Sequence, residues 1–275
     1  MDTARDVYTL VRRVLDAGGA AEPDAKARVI VAHALGISPG DVFLPIDVPE
    51  TARADIDAMA LRCAQGEPVE YVTGKAYFRY LELAVSPAVL IPRHETELVA
   101  GAAIALIKAN GYHTALDVGT GSGCMAISLA AETRARVDAC DISAAALVLA
   151  RRNAAENGAQ VRFFLSDMLA GVTETYDIIV SNPPYISDGE YESLDRGVRD
   201  FEPASALKAD DGLKFYRVLA AGAGRCLNPG GALVLEIGCG QAAQVKALLA
   251  HGGFADIEKS KDYSGRDRIV TARKI

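Results

Sequence analysis

No run of about eighteen apolar residues occurs in the 275-residue chain, so no transmembrane helix is expected. The opening stretch, MDTARDVYTLVRRVL, lacks a basic segment followed by an apolar one, and no secretory signal is expected either. The five cysteines (63, 124, 140, 226 and 239) are scattered, odd in number and never in a CxxC pair. That pattern argues for a reducing compartment, the cytoplasm, and against a disulfide framework or a zinc site. The four histidines (33, 94, 113 and 251) show no metal-ligand spacing, and no metal is expected. Positive charge is also short: the formal net charge is −7. Such a chain is a poor non-specific binder of phosphate backbones, so neither nucleic acid nor membrane is expected as a direct partner. What is plentiful is hydrophobic residues, at 50%, ample for one large core or for one domain plus a smaller one.

Residues 1–65 read as helical. VYTLVRRVLDAG has a helical stripe at 7, 10, 11, 14 and 15; AKARVIVAHALG follows, with Asp24 as its expected cap; a third helix spans 52–65. Residues 77–91, YFRYLELAVSPAVLI, alternate and read as a β-hairpin with Ser86-Pro87 near its turn. From residue 95 helices and strands alternate through 251, which predicts an open, mostly parallel sheet with helices on both faces. The tail, IEKSKDYSGRDRIVTARK, reads as an antiparallel hairpin around Ser264-Gly265.

LDVGTGSGC (116–124) follows a strand and opens a helix, with glycines at 119, 121 and 123. Ligands of open α/β sheets bind at the carboxyl ends of strands, where glycines let them approach the backbone. The next strand ends at Asp141-Ile142, about 20 residues on, where an acid can accept hydrogen bonds from a ribose diol. The third ends in Ser166-Asp167-Met168, an acid for an amino group on a base and a thioether for its ring. Strand, glycines, helix, strand and acid in register point to a nucleoside cofactor. The Walker lysine and the GxGxxG spacing are both missing. The DxGxGxG form, with Asp117 leading and Thr120 and Ser122 between the glycines, resembles the S-adenosyl-L-methionine loop of class I methyltransferases. Asp117 would then sit near the cationic end of that ligand.

A fourth strand, DIIVS, runs into Asn182-Pro183-Pro184-Tyr185. Two adjacent prolines stiffen the turn, which presents Asn182 and backbone carbonyls at the crevice that the glycine loop borders. An acceptor oxygen of Asn182 and the Pro183 carbonyl can bind the two N–H groups of a planar NH2, while Tyr185 stacks on its plane. Read on its own, the same tetrapeptide is also ordinary turn chemistry.

With EPVEYVTG (67–74), LIPRHETE (90–97), RDFEPASAL (199–207), DGLKFYR (211–217), LEIGCGQ (235–241) and DRIV (267–270), the chain resembles the bacterial release factor glutamine methyltransferases, the protein-(glutamine-N5) methyltransferases of the HemK family. The resemblance implies three parts: a helical substrate-recognition domain over 1–72, a β-hairpin linker over 73–94, and a Rossmann-like methyltransferase domain over 95–275. It implies S-adenosyl-L-methionine as cofactor and the glutamine of the Gly-Gly-Gln motif of class 1 peptide chain release factors as acceptor. Asn182, Pro183, Pro184 and Tyr185 become the catalytic turn; Arg93 and Glu95, in the LIPRHETE segment, join it as candidate substrate-binding residues. A glutamine of a large-subunit ribosomal protein, adenine in DNA, and a catalytically idle cofactor-binding module are the alternatives. His94 stands where the family usually has proline, Lys208-Ala209 where apolar and glycine residues are common, and Met168 where an aromatic is common.

Overall fold

A computed structural model describes residues 2–275; Met1, at the head of the expected 1–72 segment, lies outside them. The chain divides into two compact units, one running through Lys75 and including Asp195–Phe201, the other made of Ala76–Leu194 and Glu202–Ile275.

The first unit is built from α1 (Ala4–Ala17), α2 (Pro23–Leu35), α3 (Glu50–Ala64) and the short α4 (Val69–Thr73). Thr3 opens α1 with a capping box, exchanging hydrogen bonds with Asp6. Val7, Val11 and Leu15 recur along one face of α1 and are buried with Ile30, Val31 and Ile56. Asp24 does not cap α2. Pro23 takes the first helical position, where its missing N–H costs nothing, and Glu22 precedes it at φ 51°. Asp24 instead accepts from the Tyr8 hydroxyl and pairs with Arg28. Arg12 and Arg13 remain exposed on α1. A short helix, Arg196–Phe201, groups with this unit although it lies far along the sequence. The expected contiguous boundary had no place for it.

The second unit begins within β1 (Lys75–Phe78), which is followed by β2 (Leu81–Ala84). Their turn is at Arg79-Tyr80, not at Ser86-Pro87. Arg79 sits at φ 53°, and its N–H donates to Glu97 Oε1 (3.0 Å) while its guanidinium meets Glu132 at 2.7 and 2.8 Å. Those carboxylates hold a backbone conformation that arginine seldom adopts. Ser86 begins a separate turn, accepting from the Val89 N–H at 3.1 Å.

Then come α5 (His94–Asn110), β3 (Thr114–Val118), α6 (Cys124–Glu132), β4 (Arg136–Asp141), α7 (Ala144–Glu156), β5 (Val161–Leu165), β6 (Tyr176–Ser181), α8 (Lys214–Cys226), β7 (Leu227–Glu236), α9 (Ala242–His251), β8 (Phe254–Lys261) and β9 (Asp267–Lys274). Short helical turns at Asp188–Tyr191 and Ala204–Ala206 lie between β6 and α8. The seven-stranded sheet has the order β5-β4-β3-β6-β7-β9-β8. Its first five strands are parallel; β9 and β8 are antiparallel. This is the class I methyltransferase architecture. Apolar cores form on both faces, one around Val99, Ile104 and Ile127, the other around Tyr216, Leu219 and Val245. The strand order reverses between β4 and β6 about β3, and the crevice at such a switch point is where open sheets bind ligands.

Asn153 joins three elements of this unit. Fully buried on α7, it accepts from the Ala84 N–H (2.8 Å) and donates to the carbonyls of Ala84 (3.0 Å) and Ser122 (2.8 Å). The hairpin is thereby stitched to the glycine loop. Asn153→Ala leaves these backbone groups unpaired and is expected to cost ~2–4 kcal/mol, the scale of several orphaned buried groups. Chemical denaturation of the full chain measures it.

Candidate functional site

The glycine loop grows out of the fully paired end of β3. Gly119, Gly121 and Gly123 all have positive φ (74°, 55° and 85°), the region where a side chain is strained. Gly123 is also crowded: a Cβ there would come within 3.2 Å of Ala150. Next to Gly119 and Gly121 there is open space, which leaves the backbone bare to a ligand. Asp117 lies beneath the loop at 1% exposure. Its Oδ2 accepts from Thr120 Oγ1 (2.7 Å) and the Ala126 N–H (3.2 Å), and its buried Oδ1 has no partner. Burial pushes this carboxyl up to about 7, against the two hydrogen bonds that lower it.

Asp141, at the end of β4, accepts from the N–H groups of Gly121 (2.9 Å) and Ser143 (2.8 Å). A carboxylate has about four acceptor sites, so Asp141 can still receive a diol. Asp167 is exposed, and Met168 is bent to φ 47°. Ser166 holds that bend, donating to the Met168 carbonyl (2.8 Å) and accepting from the Gly171 N–H (2.9 Å).

One β-strand away, Val118 pairs with Ser181, and the Ser181 hydroxyl donates to the Val118 carbonyl at 2.7 Å. The NPPY turn therefore leaves the sheet beside the glycine loop. Asn182 Nδ2 donates to Thr96 Oγ1 (3.1 Å), and Thr96 donates to Glu236 Oε2 (2.6 Å). Tyr185 donates its hydroxyl to Glu236 Oε1 at 3.2 Å. Burial drives the Tyr185 phenol upward, so it stays a donor. Gln241 clamps the same turn: its Nε2 donates to the carbonyls of Tyr185 (3.0 Å) and Gly212 (3.2 Å), and its Oε1 accepts from the Gly238 N–H (2.9 Å).

These pieces enclose a cavity of about 430 Å³. Of the residues expected from sequence, Arg93, Gly119, Thr120, Gly121, Ser122, Asp141, Ile142, Asp167, Met168, Asn182 and Pro184 lie in its wall. Asp117, Gly123, Pro183, Tyr185 and Glu95 do not line it. Arg93 is paired with the buried carboxylate of Glu202, which also accepts from the Ile91 N–H (3.1 Å) and so ties together the two segments, 88–93 and 203–206, that flank the cavity. His94 is outside, its side chain 95% exposed beside Glu97. Lys208 lines the cavity and pairs with Asp188 at 3.2 Å, while Ala209 is buried. Thr96, Glu202, Glu236 and Gln241 lie within the quoted ETE, FEP and LEIGCGQ segments, but only the fold shows what they touch.

Residues 100–212 match the family model described as "Methyltransferase small domain", and residues 6–74 match "PrmC N-terminal domain". The fold agrees with the first: a T. thermophilus 16S rRNA methyltransferase solved in complex with AdoMet and guanosine superposes with a TM-score of 0.53, at 21% identity, over 73% of this chain and 50% of that one. The second unit thus has the Rossmann-like methyltransferase fold. Over nearly the whole length the chain is similar to the release factor glutamine methyltransferases of Chlorobaculum tepidum (40% identical, covering 90% of this chain and 89% of that one) and Cereibacter sphaeroides (41%, covering 94% of each). It belongs to the release factor glutamine methyltransferase family.

Asp117 makes the ligand-free protein sensitive to pH. Its carboxyl rises from 3.8 to about 7 on folding, so its contribution to stability is present below pH ~4 and is lost as pH rises through about 7. Glu236, raised from 4.5 to about 7, acts in the same direction. The melting temperature should fall between pH 5.5 and 8, by less in Asp117→Asn. An equal fall in both proteins would show that the Asp117 proton is not involved.

Proposed function

We propose that this chain transfers a methyl group from S-adenosyl-L-methionine to the side-chain amide nitrogen of the glutamine in the Gly-Gly-Gln motif of class 1 release factors. The observation that carries this reading is the stiff NPPY turn standing beside the glycine loop, with Asn182 and Pro184 in the wall of the cavity that Gly119, Gly121 and Asp141 also line.

The residues fit the cofactor. The cavity is of nucleoside-ligand size, Gly119 and Gly121 leave the backbone open, and Asp117 keeps a buried oxygen without a partner. Asp141 would hold the ribose, Asp167 and Met168 the base, and Asp117 the cationic end. When bound, the cofactor supplies an electrophilic methyl group on a sulfonium sulfur.

A carboxamide nitrogen is a weak nucleophile because its lone pair is delocalised. Asn182 Oδ1 and the Pro183 carbonyl accept its two N–H bonds, which orients the nitrogen and raises its electron density. The same acceptors stabilise the positive charge that builds there; neither is basic enough to keep the proton that the methylated amide must lose, which passes to water. The Tyr185 ring covers the plane of the amide. Gly-Gly-Gln suits such a crevice because its glycines carry no side chains. A protein acceptor also fits the net charge of −7 better than duplex DNA, whose binders gain affinity by neutralising phosphates. The first unit, whose described residues contribute none to the cavity wall, is assigned to recognising the folded acceptor. Buried thiols at Cys63, Cys124, Cys140 and Cys226 suit a cytoplasmic setting.

Labelled cofactor incubated with a class 1 release factor should yield methyl on the motif glutamine, located by mass mapping, and none with its Gln→Ala variant or with DNA. Labelling of DNA, or of a ribosomal protein in place of the release factor, would overturn the acceptor assignment. Asp141→Ala should weaken cofactor binding at least ~10-fold in calorimetric titration, from the loss of charge-assisted hydrogen bonds. Asn182→Ala should slow single-turnover transfer by roughly 10²–10³, the scale of one lost transition-state contact. A rate near that of the parent would reduce Asn182 to a turn residue.

A further inference from the structure

We propose that Glu236 and Thr96 act as positioning residues that set the polarity of the Asn182 amide, so that its oxygen and not its NH2 group faces the acceptor. The proposal deepens the reading above and rests on it for the identity of the acceptor, but the hydrogen-bond chain itself can be tested without any acceptor.

The chain is read from the buried end. Glu236 is the last residue of β7 and is 1% exposed. Ser181, the last residue of β6, pairs with Leu235, which brings the residues that follow, Asn182 and Glu236, to the same level. An ionised carboxylate can only accept. Thr96 has a single hydroxyl hydrogen, and it goes to Glu236 Oε2 at 2.6 Å. Toward Asn182, 3.1 Å away, the Thr96 oxygen can therefore only accept. Asn182 must turn Nδ2 to Thr96, which leaves Oδ1 for the cavity. Remove the carboxylate and the threonine hydroxyl is free to donate to Asn182 Oδ1. The amide can then rotate and meet the acceptor NH2 donor to donor. Oε1 of the same carboxylate receives the Tyr185 hydroxyl, so one buried group orients both functional side chains of the turn.

The surroundings of Glu236 are mixed. Thr96 from α5 and Tyr185 from the NPPY turn bond to it, and the charges of Glu95 on α5 and Arg268 on β9 act on it; its own charge acts on Cys124 of α6. The Tyr216 hydroxyl, from α8, donates to the Glu236 carbonyl at 3.0 Å. Burial raises the carboxyl to about 7, while the Thr96 and Tyr185 hydrogen bonds and Arg268 oppose the rise. Once protonated, Glu236 becomes a donor and the fixed direction of the chain is lost.

Two measurements decide the matter. In the ligand-free full-length protein, the side-chain NH2 resonances of Asn182, identified by their loss in Asn182→Ala, should shift with pH around 7 and shift markedly less in Glu236→Gln, where the change of charge at Asp117 remains. Resonances that do not move with pH in the parent, or that move equally in Glu236→Gln, would overturn the proposal. In single-turnover transfer, Thr96→Val should slow the parent by about 10-fold or more, a typical scale for a lost polar contact, yet add less than about 2-fold in an Asn182→Ala background. Thr96→Ser, which keeps the hydroxyl, should restore the rate. Losses that multiply in the double variant, or a serine variant as slow as valine, would show that Thr96 only packs. If the parent methylates no release factor, the acceptor assignment fails, and the resonance experiment still decides on the hydrogen-bond chain.

Discussion

β6 has a neighbour on each side, and both pairings run to its last residue: Ser181 is level with Val118 of β3 and with Leu235 of β7. Three chain segments therefore leave the sheet at one height. They are the glycine loop, the NPPY turn and the strand end that carries Glu236. A register slip of one residue would turn each side chain to the opposite face. The alternation of core contacts on both faces opposes any such slip, with Ile178 and Val180 in one core and Ile179 in the other. Packing in the two cores thus holds the relative positions of the segments that border the cavity.

The cost of this arrangement lies in buried charge. Asp117 and Glu236 are almost fully enclosed, and both are raised by desolvation to about 7. Arg268, 8% exposed, has a buried Nε without a partner, and its Nη1 donates to the Ile237 carbonyl at 3.2 Å. Apolar residues of similar volume would often be as stable in such places or more so. What the carboxylates gain in place of stability is hydrogen bonding. Each accepts hydrogen bonds from neighbouring donors, and Asp117 keeps one buried oxygen without a partner.

Rigidity around the cavity comes from groups that each tie several segments together. Gln241 joins Tyr185, Gly212 and Gly238; Glu202 joins Ile91 and Arg93; Asn153 joins the hairpin to the glycine loop. A weak amide nucleophile gains most from acceptors already in place before the methyl group moves, because no reorganisation is then needed in the transition state.

Local periodicity was enough to reveal the alternating helices and strands from 95 onward, the glycine loop, the acid at the end of the next strand and the NPPY turn, because each is written within a few consecutive residues. The hairpin turn was misread: alternation continues past Ser86, and what bends the chain at Arg79 is a pair of carboxylates 18 and 53 positions away. Asp24 looked like a cap because its tie to Tyr8 spans 16 positions. Thr96 and Glu236, separated by 140 positions, gave no local sign of meeting. By itself the sequence determined which residue types stand at the strand ends, and so the chemistry available there. Only the tertiary structure decided which of them share a hydrogen bond and in which direction it runs, because that depends on strand order and register, and no short stretch of sequence encodes them.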